Sequence, residues 1–266
     1  MRVVASFYPV YEAARRVGGD RVEVSNLTPA GVEPHDLELS SKTVDRIIDA
    51  GVVLYLGHGF QPAVERAVRR SKGKAVDLLA PMPLHKGEQD VDPHVWLDPV
   101  LMTRIVDEVR SALSDADPSG APAFADNATA YAKELSALDQ EYRTGLTACA
   151  RTLIITSHEA FGYLAQRYGL EQRAAAGLSP EAEPEPGRLA ELADLVRRTG
   201  STTVFSETLV SPKVAETLAR EAGVKTAVLD PIEGLTEEEQ RAGKTYLAVM
   251  RDNLAALRAA LACPGI

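Results

Sequence analysis

Cysteine is nearly absent from this sequence: Cys149 and Cys263 are the two it has, far apart, and neither lies in a CxxC pair. That spacing excludes a thiolate metal knuckle and a CxxC redox motif. An even count fits one Cys149–Cys263 disulfide in an exported protein, with two unpaired thiols as the alternative. Long apolar runs are missing too. The longest, Val52-Val53-Leu54-Tyr55-Leu56, has the length of a strand, whereas a bilayer span needs roughly 18 to 20 residues. Basic residues are in deficit, 29 Lys and Arg against 38 Asp and Glu, for a net charge of −9. Phosphate backbones are bound by clustered Lys and Arg, so no nucleic-acid partner is expected, and an anionic substrate is disfavoured. The start of the sequence carries no basic region followed by an apolar stretch and a cleavage site, which leaves a cytosolic protein or one whose leader has been removed.

What remains is a soluble globular composition. Of the 266 residues, 45% are hydrophobic and 25% charged, enough for one large domain or for two lobes that each bury a core, and two lobes is the preferred reading. The first half alternates β-branched runs with helical periodicity, from Val3-Val4-Ala5 through Pro9 to Val17, Val22 to Leu27, Thr43 to Ala50 and Val52 to Leu56. This is a βαβ rhythm. A helix is expected after Asp98-Pro99, with Asp98 as N-cap and Met102, Ile105, Val106, Val109 and Leu113 on its buried stripe.

Phe124, Ala128, Tyr131, Leu135, Leu138, Tyr142 and Leu146 then recur at spacings of three and four, which predicts one long helix. After it the βα rhythm resumes, and the chain closes on a helix whose Leu247, Met250, Leu254, Leu257 and Leu261 face inward. The expected fold is α/β: two βα lobes with parallel sheets joined by a long backbone helix, with a cleft between the lobes as the place for a ligand. The boundaries are residues 1–118 for the N-terminal lobe, 119–148 for the connecting helix and 149–266 for the C-terminal lobe. The segment Ser179 to Gly187, rich in proline and glutamate, is expected to be an irregular, solvated loop.

Three of the five histidines sit among acidic and turn residues: Glu33-Pro34-His35-Asp36, Asp92-Pro93-His94-Val95-Trp96 and Thr156-Ser157-His158-Glu159. In open parallel sheets, ligands bind beyond the carboxyl ends of the strands. His158 follows one expected strand there, Asp230 in Leu229-Asp230-Pro231 follows another, and His35 follows the strand Val22 to Leu27. Three imidazoles and one carboxylate make a four-coordinate shell of the kind Zn²⁺ prefers, with bonds of about 2.0 to 2.2 Å. Manganese, the alternative cation, favours more oxygen donors. His35, His94, His158 and Asp230 are therefore the expected metal ligands.

These residues resemble the cluster A-I (cluster 9) solute-binding proteins, the zinc and manganese receptors of ABC transporters. The resemblance covers nearly the whole chain. It rests on Pro29-Ala30-Gly31-Val32-Glu33-Pro34-His35-Asp36, Asp92-Pro93-His94-Val95-Trp96-Leu97-Asp98-Pro99, Ser157-His158-Glu159-Ala160-Phe161-Gly162-Tyr163 and Phe205-Ser206-Glu207-Thr208; the second and third are highly specific. It implies the zinc-uptake type, with the same four residues as ligands, two lobes spanned by a backbone helix and an ABC permease as partner. Export as a periplasmic protein or cell-surface lipoprotein is also implied, with membrane contact only through a lipid anchor or the permease. A monomer is expected.

The sequence departs from the family in places. Leu84 to Val91 is short, with His85 its one histidine, where zinc receptors of the family often carry a long His-rich loop, so His85 is read as a surface residue. His58 and Gln61 stand where a small or apolar residue and Glu are more usual; a structural role is the reading, with His58, placed after a strand near the cleft, kept as a candidate to support or replace a ligand. Glu207 is expected to organise neighbouring loops by hydrogen bonds, with a fifth ligand as the alternative, and Asp92, Asp98 and Trp96 are candidates for positioning His94. The rival from another class is a zinc hydrolase, but HExxH and Gly-x-Ser-x-Gly are absent and a four-ligand shell leaves no open position for an activated water, so no enzyme is expected. A metallochaperone or adhesin without a permease is not separable from sequence.

Overall fold

A computed structural model describes residues 1–85, 91–182, 184–185 and 187–264. Parts of the loops 84–91 and 179–187 thus lie outside the described residues. The chain divides into two compact units, Met1–Ala137 with Ile232–Tyr246, and Leu138–Pro231 with Leu247–Ile266.

Unit 1 runs β1 (Arg2–Ala5), α1 (Tyr8–Gly18), β2 (Glu23–Asn26), α2 (Ser41–Asp49), β3 (Val52–Tyr55), α3 (Pro62–Val68), β4 (Lys74–Asp77) and α4 (Pro99–Ala116), then the first part of α5 (Ala121–Gly145). Its strands form one parallel sheet in the order β2-β1-β3-β4, with Val3 in register with both Val24 and Val52. Strands β1 and β3 are central, covered on both faces, and so read as continuous apolar runs with Val3, Val4, Val52 and Val53 at most 3% exposed. Val4, Leu27, Ile47, Val53, Val64 and Val68 pack between the sheet and helices α2 and α3. Each such side chain contributes about 1.5 to 3 kcal/mol of burial.

Helix α4 begins as its sequence dictates. The Asp98 carboxylate accepts from the backbone N–H of Val100 and Leu101, Pro99 fills the first position, and Met102, Ile105, Val106, Val109 and Leu113 are all buried. The long helix is α5, which holds Phe124, Tyr131, Leu135, Leu138 and Tyr142 fully buried along one stripe.

Unit 2 continues with β5 (Leu153–Thr156), α6 (Gly162–Tyr168), β6 (Glu171–Ala174), α7 (Arg188–Thr199), β7 (Thr203–Ser206), α8 (Lys213–Ala222) and β8 (Lys225–Val228). The strands pair in parallel, β5 with β6 and β7 with β8, and β5 lies beside β7. Ile155, Leu192, Val196, Val204 and Leu218 fill the core. Helix α8 stops at Gly223, whose φ of 73° places it in the left-handed region that glycine enters without strain. The Ile232–Tyr246 segment carries the short helix α9 (Glu237–Arg241), and α10 (Tyr246–Leu261) closes the chain. Leu247, Met250, Leu254, Leu257 and Leu261 are buried along it. A disulfide joins Cys149 to Cys263 across 114 residues of sequence.

The α/β class, the parallel sheets and the long helix agree with the sequence reading. Helix α3, strand β4 and helix α9 lie in segments to which that reading gave no element.

Candidate metal centre

His94 is built into a rigid turn. The Asp92 Oδ1 atom accepts both the His94 backbone N–H at 2.9 Å and, at 2.8 Å, the ring Nδ1. The chain then makes a 3-10 turn over Val95–Leu97 and is stopped by Asp98, the N-cap of α4. Trp96 is fully buried beneath it, its ring 4.8 Å from Phe7 and 5.1 Å from the His94 imidazole. With Nδ1 occupied by a carboxylate, the lone pair of Nε2 is the one available to an ion.

That Nε2 lies 3.2 Å from Glu233 Oε1, and the Nε2 of His35 lies 3.2 Å from the same oxygen. Three donor atoms from distant parts of unit 1 thus converge. The His35 side chain is 11% exposed and that of Glu233 is 1% exposed. His35 sits in the loop after β2, where its backbone N–H is held by Glu33 Oε1 at 3.1 Å and its ring meets Phe60 edge-on. The Gly31 N–H donates to the Leu235 carbonyl at 2.9 Å, fastening the His35 loop to the segment that carries Glu233. Neighbouring donors of a tetrahedral zinc shell with bonds of about 2.0 to 2.1 Å stand about 3.3 Å apart. The 3.2 Å separations in unit 1 have the spacing of such a shell.

The electrostatics point the same way. Burial pushes the His94 imidazole towards its neutral form, but hydrogen bonds to Asp92 and Glu233 outweigh burial and leave its pKa above the usual 6.5. Carboxylates that favour a proton on a buried imidazole also favour a cation beside it.

In unit 2, His158 follows β5 and is fully buried. One Glu207 oxygen, Oε1, accepts its backbone N–H at 3.2 Å, and the other, Oε2, takes the ring Nδ1 at 2.8 Å. Glu207 itself follows β7 directly, and its side chain is 2% exposed. Asp230 follows β8 and is also buried. Its carboxylate accepts from the Thr208 hydroxyl at 2.9 Å, while its backbone N–H and carbonyl pair with the Asn253 amide at 2.8 and 2.7 Å.

Of the residues named from sequence, unit 1 brings His35 and His94 together, and unit 2 holds His158 and Asp230. Glu233 was missed. Its signal was weak, one carboxylate three positions beyond Asp230 in an acidic stretch, and the tie from Gly31 to Leu235 that brings it to His35 has no counterpart in sequence pattern. His85 is partly exposed, its Nδ1 4.0 Å from Asp92 Oδ2. His58 is exposed, with φ of 59°, on a shallow cavity of about 300 Å³ shared with Tyr55, Glu65 and Asp77. Gln61 is buried, donating to the Thr28 hydroxyl at 3.2 Å.

Comparison with known proteins matches residues 3–260 to a family described as zinc-uptake complex component A, periplasmic. The chain is 40% identical over 276 residues to the zinc-binding lipoprotein AdcA of Streptococcus pneumoniae, covering 97% of this chain and 55% of that protein. It thus spans little more than half the length of that relative. It is 37% identical to the high-affinity zinc uptake system protein ZnuA of Bacillus subtilis, covering 98% of this chain and 88% of that one. Among solved structures, the Zn(II)-bound ZnuA-like domain of S. pneumoniae AdcA superposes with a TM-score of 0.87 at 41% identity, covering 98% of both chains.

Proposed function

The chain belongs to the periplasmic zinc-uptake component A family, and from that premise we propose that it is a high-affinity extracytoplasmic receptor that binds Zn²⁺ and hands it to an ABC permease. The observation that carries this reading is the convergence of His35 Nε2 and His94 Nε2 on one buried Glu233 oxygen, each at 3.2 Å. His158, its Nδ1 likewise held by a carboxylate, supplies the third imidazole of the proposed shell.

The fourth donor is a carboxylate. Glu233 is favoured by its place beside the two histidines, while Asp230, the ligand named from sequence, has its carboxylate on Thr208 and its backbone on Asn253. Three nitrogens and one oxygen favour zinc over manganese. The lobes of this reading are residues 1–118 and 149–266, with 119–148 as the connecting helix, except that residues 232–246, which carry Glu233, cluster with the first unit. The receptor works as a monomer by binding alone, without catalysis, and reaches the membrane through a lipid anchor or through the permease.

The test is elemental analysis of protein purified with equal Zn²⁺ and Mn²⁺. Wild type should retain one zinc per chain and little manganese; His94→Ala and Glu233→Ala should lose most of it, and Asp230→Ala should keep it. Wild type without a stoichiometric transition metal would end the proposal. Zinc lost from Asp230→Ala but kept by Glu233→Ala would move the carboxylate donor back to Asp230.

A further inference from the structure

Each unit holds a candidate ligand histidine by a carboxylate, and the two carboxylates differ in two ways. In unit 1 a single oxygen, Asp92 Oδ1, takes both the backbone N–H and the Nδ1 of His94. In unit 2 the work is divided: Glu207 Oε1 takes the His158 N–H, and Oε2 takes Nδ1. Asp92 also belongs to the same turn as its histidine, whereas Glu207 reaches His158 from 49 residues away, from the end of β7 to the end of β5.

We propose that Glu207 is a positioning residue that fixes the His158 tautomer, presenting Nε2 as the metal donor, and that it does so through a clamp requiring two acceptor oxygens. The proposal rests on the reading of His158 as a zinc ligand. Two donors face Glu207, the main-chain N–H and Nδ1–H, and a carboxylate accepts from both. With Nδ1 protonated, Nε2 keeps its lone pair for the ion.

An amide in place of each carboxylate separates the two clamps. Asp92→Asn keeps Oδ1 and can keep both hydrogen bonds to His94, with the charge lost and Oδ2 replaced by NH₂. Glu207→Gln retains one acceptor and gains an NH₂ donor. Its fully bonded arrangement puts the amide oxygen on the His158 N–H and the NH₂ against Nδ1, which must then be unprotonated. The proton moves to Nε2, and the atom that should bind zinc becomes a donor. A near-isosteric change is therefore expected to do more harm at position 207 than at position 92, and more than truncation to alanine, which removes both oxygens without imposing a donor.

The experiment uses the full chain labelled with ¹⁵N-histidine, metal-free, at about pH 8, where unperturbed imidazoles are neutral. Imidazole ¹⁵N shifts should report His158 as the Nδ1–H tautomer in wild type, as Nε2–H in Glu207→Gln and as a mixture in Glu207→Ala. Zinc affinity by chelator competition should fall about 100-fold in Glu207→Gln and about tenfold or less in Asp92→Asn. If Glu207→Gln keeps Nδ1–H, or loses no more zinc affinity than Asp92→Asn, the clamp is overturned. Should Glu207→Gln fail to fold, an undiminished Nδ1–H fraction in Glu207→Ala overturns it equally. Wild type that binds no zinc would instead sink the metal reading, while the shifts still decide the tautomer.

Discussion

The Tyr246 hydroxyl donates to the main-chain carbonyl of Trp96 at 2.6 Å, and both residues are fully buried. This bond fixes the far end of the Ile232–Tyr246 segment to the turn that presents His94, while the Gly31–Leu235 bond fixes its near end to the His35 loop. The position of Glu233 is therefore set from both sides.

Tyr246→Phe removes the hydroxyl that donates to the Trp96 carbonyl. It should cost about 1 to 3 kcal/mol in urea unfolding and weaken zinc binding as Glu233 loses its constraint. Unchanged unfolding midpoint and zinc affinity would show that the bond does not hold the segment.

Zinc binding should weaken on acidification sooner than ordinary imidazoles predict. Burial lowers the His94 pKa, but Asp92 and Glu233 raise it further than burial lowers it, so in the metal-free fold it exceeds 6.5. The stabilisation of metal-free protein by protonated His94 is complete below the unfolded value of about 6.5 and lost as pH rises through the higher folded value. Zinc must displace that proton, so affinity should begin to fall above pH 6.5 on the way down. Calorimetric titrations across this range would check it, and a decline confined to pH below 6 would refute it.

Reducing the Cys149–Cys263 bond releases a loop of 114 residues. In the chain-entropy model, closing a loop of about 100 residues stabilises by about 4.7 kcal/mol. The Cys149→Ser/Cys263→Ser protein should melt at a lower temperature than wild type, with the loss centred on unit 2; identical melts in both redox states would contradict this.

Helix α9 starts with a capping box. Thr236 accepts the Glu239 N–H, and the Glu239 carboxylate returns to the Thr236 N–H at 3.0 Å while pairing with Lys244 at 2.9 Å. Thr236→Ala should cost about 1 kcal/mol and speed amide hydrogen exchange across residues 234–246. Unaltered exchange there would mean that the cap does not order the segment.

Much of the fold was legible because its signals are local. Asp98-Pro99 starts α4, and the three-and-four spacing from Phe124 to Leu146 makes α5. The central strands announce themselves as apolar runs, covered on both faces. Strand β4 did not: Lys74-Ala75-Val76-Asp77 lies at the sheet edge, with its first two residues exposed, and so carries two charges in four residues. The motifs singled out His35 and His94, which the fold brings together. Glu233 was not legible, because nothing in Asp230-Pro231-Ile232-Glu233 distinguishes one carboxylate from the other. Their difference lies in partners at a distance, Thr208 and Asn253 for Asp230, and His35 and His94 for Glu233.

The return of residues 232–246 to unit 1 after the polypeptide has already built most of unit 2 imposes an order on biosynthesis. A nascent chain that has emerged only through Ala137 has its sheet, His35 and His94 but lacks Glu233, so an N-terminal half expressed alone would be born without that carboxylate. Competence to capture an ion in unit 1 arrives late in translation, after the other unit has had its opportunity to fold.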